Sequence, residues 1–300
     1  MSSPPAAGGE EGPTPTFANA LRAEILKLRS HRPTWVLAGF VLVLLGLVLF
    51  ALSQDTVIQS ELPSRPLDAL DQALPAVQFV FAAGVGVVLL TSSSRLVGME
   101  YALGTIRVVL GRGTTRSQLV LAKLAAALLL GSLLLVVYAF LTVVGLTLLT
   151  VHLAGSTAPI GVMPSAGWRQ LGLAVLSCAA SVVSCAAVGV GVGAATRSLT
   201  GGMVLSILFF PLDNALALVL RAAYHLDQLG VLRSVSGLLL GPTLNRLPGL
   251  LTGQAAASGA VLPTPMVPLT GGESLGVVAG WFLVLLATAL TVSARRDVLA

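Results

Sequence analysis

The sequence predicts an all-α integral membrane protein with six transmembrane helices, and three observations carry that reading. Hydrophobic residues make up 55% of the 300 positions and charged residues only 10%, where a soluble domain carries about 25% charged residues. The few charges are clustered rather than interleaved, so no water-facing surface can be built from them. Between the clusters lie apolar runs of the roughly 20 residues that a helix needs to cross the hydrocarbon core.

The elements follow in order. Residues 1–16, MSSPPAAGGEEGPTPT, are rich in Pro, Gly and Ser and have no basic n-region. That predicts a disordered tail rather than a signal peptide. A single membrane domain is expected over 17–300. It opens with FANALRAEILKLRSHR, in which Phe17, Leu21, Ile25 and Leu28 share one helical face and Arg22 and Arg29 flank it. The pattern predicts a helix lying in the membrane interface; a basic flank that only sets topology is the alternative. The first span, 33–54, lies between Arg32 and Asp55, with Pro33 suited to a first helical turn. The second, 72–94, lies between Asp71 and Arg95.

After Lys123 no Asp, Glu, Lys or Arg occurs until Arg169, a gap too long for one helix. Spans are therefore expected at 124–151 and 170–195, separated by a polar loop holding His152, Gly155 and Pro159. The fifth span, 199–220, is interrupted by Pro211 and Asp213, and the sixth, 274–294, lies between Glu273 and Arg295.

Two connectors carry pattern of their own. In GMEYALGTIRVVLGRGTTRSQ, residues 98–118, Met99, Leu103, Ile106 and Leu110 form a helical stripe. Gly111 and Gly113 end that helix, and Thr115 with Gln118 makes a capping-box pattern that opens the third span. Such a stripe in an aqueous loop buries against lipid, against the chain itself or against another protein. The connector 221–273 contains GLLLGPTLNRLPGLLTG, whose apolar pieces are too short to span and predict a re-entrant or interfacial segment.

Orientation follows from the positive charges. With the N-terminus inside, the inner segments hold 12 of the 17 Lys and Arg residues, and the outer ones hold Arg65, Arg169, Arg221, Arg233 and Arg246. The positive-inside rule then places both ends in the cytoplasm. The net charge of +5 is topological, with some attraction to anionic membrane lipid, and nucleic-acid binding is excluded on that ground.

Several chemistries are missing from the sequence. It contains no G-x-x-x-x-G-K-[ST], so no P-loop cradles a nucleotide phosphate. GRGTTRS, residues 111–117, lacks the lysine of such a loop. There is no H-E-x-x-H and no pair of membrane carboxylates, and no cofactor is implied. Cys178 and Cys185 lie two turns apart on one helix, beyond the about 7 Å between Cα atoms that a disulfide allows, and read as small packing residues. Gly189 and Gly193, with Ser177, Ala180, Ser181 and Ser184, mark the fourth span as a close-packing helix. Asp213 is a relay candidate if it is buried; otherwise it and Asn214 end the fifth span.

Three stretches together resemble the permease subunits of type-2 ABC exporters, over nearly the whole chain after residue 17. They are AEILKLRSHRPTW before the first span, EYALGTIRVVLGRGTTRSQLVLAKL entering the third, and ARRDVL after the sixth. The resemblance implies a non-enzymatic permease in the cell membrane, six spans with cytoplasmic ends, and re-entrant outer helices before the last span. It also implies a separate cytoplasmic ATP-binding-cassette ATPase and a second permease subunit, identical or not. Under it the 98–118 stretch is a coupling helix, with Met99, Leu103 and Ile106 as buried contacts, Glu100 and Arg107 as polar ones, and Gly104 and Thr105 between them. The apolar spans with their small residues suit a lipophilic or amphiphilic cargo. An intramembrane hydrolase and a sensory or assembly partner are the competing readings. The alanine- and leucine-rich composition suits a bacterium of high G+C content.

Overall fold

A computed structural model describes residues 16–105, 114–161, 163–253 and 262–295. Within them the chain is helical with no strand. Apart from the single turn Ala158–Gly161, the helices are α1 (Phe17–Ser30), α2 (Arg32–Gln54), α3 (Thr56–Glu61), α4 (Pro66–Ala102), α5 (Arg116–Ala154), α6 (Ser165–Thr196), α7 (Leu199–Asp227), α8 (Gly230–Ser236), α9 (Leu240–Thr252) and α10 (Gly271–Arg295). Six of them, α2, α4, α5, α6, α7 and α10, are long and apolar enough to cross a membrane. Each corresponds to one span read from the sequence. The expected tail falls almost wholly outside the described residues, as do Gly111 and Gly113.

The spans differ in how much of them the chain itself covers. α6 buries 61% of its most apolar window and packs most extensively against α4, whereas α7 buries 11%. α4 and α6 are thus the central pair, and α2, α7 and α10 are peripheral. In the centre Phe81 meets Tyr138 edge-on with ring centroids 5.1 Å apart, and the Tyr138 hydroxyl donates to the Val77 carbonyl at 2.8 Å.

Small residues set the α4–α6 approach. A Cβ on Gly193 would stand 3.1 Å from the Ser94 carbonyl oxygen and 3.2 Å from the Ser94 Cα, and one on Gly189 would stand 3.1 Å from the Leu90 carbonyl oxygen. Without a hydrophobic force between helices in lipid, such backbone proximity supplies the dispersion contacts that hold them. Cys178 and Cys185 are free and buried in this core.

Local signals fix the helix ends. The Thr115 hydroxyl accepts from the Gln118 N–H at 3.2 Å, and Gln118 Oε1 accepts from the Thr115 N–H at 3.1 Å. This is the reciprocal cap expected at that point. α4 and α5, at 37 and 39 residues, run well past the expected limits 72–94 and 124–151. Their ends carry polar residues that the apolar runs did not include.

The fifth span also differs from expectation. α7 does not stop near Leu220 but continues through Pro211 and Asp213 to Asp227. Asp213 therefore does not end the span. Its Oδ2 accepts from the Gly241 N–H at 2.6 Å, capping the first turn of α9 from a neighbouring helix. Asn245 Nδ2 adds bonds to Asn214 Oδ1 and to the Pro263 carbonyl, both 2.9 Å. α9 is 13 residues long, too short to span, and it packs against α6, α7 and α10 at the end of the bundle opposite α1. Asp213→Ala is expected to cost about 0.5–2 kcal/mol, the usual range for a lost cap. Faster amide exchange confined to α9 would be the sign that the cap is what was lost.

Candidate functional site

The ion pairs among the described residues gather at the α1 end of the bundle. α1 presents Leu21, Glu24 and Leu28 to the spans, and Glu24 and Leu28 are buried. Glu100 comes from the last turns of α4, and Lys123 from the second turn of α5. Lys27 Nζ lies 2.8 Å from Glu24 Oε1 and 2.8 Å from Glu100 Oε1. Lys123 Nζ lies 3.0 Å from Glu24 Oε1 and 2.8 Å from Glu100 Oε1. Lys123 also donates to the Leu96 carbonyl at 2.7 Å. Two carboxylates and two ammoniums thus alternate in a neutral ring joining α1, α4 and α5.

Burial sharpens these contacts. The Glu24, Glu100 and Lys123 side chains are almost wholly enclosed, and only Lys27 reaches solvent. Burial works to lower the pKa of the Lys27 ammonium, but Glu24 and Glu100 beside it prevail and hold it above the usual lysine range. The Lys27 contribution is therefore complete at neutral pH and is lost only as pH rises through that elevated value.

The neighbouring contacts tie further elements to the same end. A Cβ on Gly98 would stand 2.8 Å from the Leu199 Cα and 3.2 Å from both the Leu199 nitrogen and the Ser198 carbonyl oxygen. α4 thus crosses the α6–α7 junction with no room for a side chain. The Arg197 guanidinium lies 5.6 Å from the centre of the Tyr101 ring and donates to the Val292 carbonyl at 3.3 Å. Arg116 donates to the Ser293 carbonyl at 3.0 Å. Four helices, α1, α4, α5 and α10, and the α6–α7 turn are knit together around the α4 terminus.

The residues singled out in the sequence separate into two groups. Met99 is half-buried and Glu100 is turned inward, 4% exposed, rather than lying on the surface. Leu103, Gly104 and Thr105 are exposed, Leu103 at 65%. Ile106 and Arg107 lie outside the described residues. The helix expected from the stripe that begins at Met99 does not run unbroken through Leu103, Gly104 and Thr105. α4 stops at Ala102, and Gly104 takes a φ of +64°, a left-handed conformation that glycine adopts without strain and that commonly ends helices.

Glu24 went unrecognised in the sequence, although a signal for it existed. It falls at i+3 from Leu21 and i−4 from Leu28, on their face rather than off it. Among the described residues no cluster of His, Cys, Asp and Glu is placed to hold a metal.

Among known proteins, the family model described as ABC-2 family transporter protein matches residues 20–211, from α1 into α7. No curated protein matches the chain.

Proposed function

The chain belongs to the ABC-2 transporter family as a membrane-spanning permease component, and we propose that it exports a lipophilic or amphiphilic substrate using a separate cytoplasmic ATPase. The observation that carries the reading is the juxtaposition at the end of α4. The exposed turn Leu103–Thr105 directly follows Glu100, which is clamped in the ring with Glu24, Lys27 and Lys123. A force applied to that turn by an ATPase passes into α1, α4 and α5 as one body, because the ring leaves little slack between them. Leu103, Gly104 and Thr105, with Ile106 and Arg107 beyond them, form the ATPase-contacting surface. Met99 and Glu100 stiffen it from behind. The 300 residues hold no P-loop, so the driving energy comes from the partner.

Two permeases work together in this reading, in the cell membrane with both ends cytoplasmic. The apolar faces that α2 and α7 leave uncovered, including Phe40, Leu47, Leu208 and Leu212, are available to lipid and to a second permease. Rigid-body motion of one permease against the other then alternates access to the path between them.

The test is co-purification and coupled transport with a co-expressed ATP-binding-cassette subunit. Leu103→Asp is expected to reduce ATPase recovery at least roughly ten-fold, since a charge forced into an apolar contact costs more than 1.4 kcal/mol. An assembled complex that still couples ATP hydrolysis to export after Glu100→Ala and Gly104→Trp together would sink the reading.

A further inference from the structure

Beside the ion ring, between the end of α1, the start of α2 and α4, lies a cleft of about 180 Å³. Its polar lining is Lys27, Ser30, His31, Thr34, Ser92 and Arg95. His31 Nδ1 and Thr34 Oγ1 are 2.8 Å apart, and Thr34 Oγ1 and Ser92 Oγ are 3.0 Å apart. No carboxylate lines the cleft. Lys27 is neutralised by Glu24 and Glu100, but Arg95 makes no ion pair or hydrogen bond among the described residues. Burial, and then the Arg95 charge, hold the His31 imidazole below its usual pKa, which favours the neutral ring.

A half-buried guanidinium without a counter-ion, facing hydroxyls and an imidazole, is a donor set for an oxyanion. Arginine in particular presents a planar fork that matches phosphate oxygens. The volume is below the roughly 300–1,000 Å³ of drug-sized sites, so it suits a phosphate with its nearest substituents. The surroundings place it at headgroup depth. Trp35, in the first turn of α2, is exposed and donates its indole N–H to the Arg29 carbonyl at 3.1 Å. Tryptophan concentrates at that level of a bilayer.

We propose that this cleft binds the phosphate group of an anionic membrane lipid, with Arg95 as the principal contact, the His31 imidazole as a neighbouring donor, and Thr34 holding that ring in place through its bond to Nδ1. The full chain is placed in phosphatidylcholine nanodiscs and titrated with phosphatidylglycerol, and bound lipid is counted by native mass spectrometry. A parallel arm titrates inorganic phosphate and follows thermal stabilisation. Arg95→Gln is expected to lower phosphatidylglycerol retention roughly ten-fold, in line with the loss of a charge-assisted bond. Arg95→Lys retains most of it, Thr34→Val loses a few-fold with every charge in place, and Arg29→Gln, on the exposed side of α1, matches the wild type. Stabilisation by inorganic phosphate that depends on Arg95, without a lipid response, overturns the lipid assignment in favour of a soluble phosphate. Equal lipid retention in the wild type, Arg95→Gln and Thr34→Val overturns the site itself. No ATPase is needed, so the outcome is independent of the export reading.

Discussion

Lys123→Met is expected to destabilise the chain by about 3–5 kcal/mol, the range found when one partner of a buried ion pair is removed. Lys123 is the enclosed cation of the ring and touches Glu24, Glu100 and the Leu96 carbonyl together. Methionine fills much the same volume and supplies no charge. Two carboxylates are then left to share Lys27, whose side chain is 40% exposed and so already screened by water. The loss is electrostatic in origin, so it has a specific remedy. Adding Glu24→Gln removes one carboxylate, restores neutrality and should recover more than half of the deficit. Thermal unfolding in detergent or nanodiscs measures both. A single variant within about 1 kcal/mol of the wild type, or a double variant no better than the single, contradicts a buried ring whose members depend on one another.

Gly98→Val is the second large effect, and its cause is steric. The atoms that a Cβ would meet are the Leu199 Cα and nitrogen and the Ser198 carbonyl oxygen, all backbone. No rotamer change relieves that contact, so α4 must move away from the α6–α7 turn. Overpacking of this kind costs about 1–3 kcal/mol. The displaced segment is the one that carries Glu100, so assembly with the ATPase should fall further than stability alone predicts. Gly39→Ala is the contrast: a Cβ there meets nothing within 4 Å, and a helical glycine replaced by alanine gains roughly 0.5–1 kcal/mol. Opposite signs at the two glycines would show that close approach, not glycine as such, matters at Gly98.

Much of this architecture was legible in the sequence because a bilayer imposes simple rules. Apolar run length gave the six spans, and the Thr115–Gln118 spacing gave the cap that opens α5. Both depend on local chemistry. The long ends of α4 and α5 were not legible, because hydropathy marks where the hydrocarbon ends and not where a helix ends. The end of α4 was misplaced because apolar spacing at Met99, Leu103, Ile106 and Leu110 says nothing about Gly104, whose left-handed φ breaks the period. Asp213 was ambiguous for a related reason: its partner is the Gly241 N–H, 28 residues away, and no local pattern reports it. Glu24 is not legible from periodicity, which treats a carboxylate as surface. What allows it inward is Lys123, 99 residues later in the chain, together with Lys27 one turn away.

α4 and α5 hold 37 and 39 residues, about 55 and 58 Å at 1.5 Å per residue, against a hydrocarbon core of roughly 30 Å. That excess gives them leverage. A helix just long enough to span, pivoting by about 5° at mid-bilayer, swings its tip by about 1.3 Å, whereas a helix as long as α4 swings by about 2.4 Å. The overhang nearly doubles the stroke for the same tilt. The gearing works in both directions: a modest pull at the tip of α4 delivers a smaller, stronger displacement among the apolar side chains between the pivot and the membrane surface.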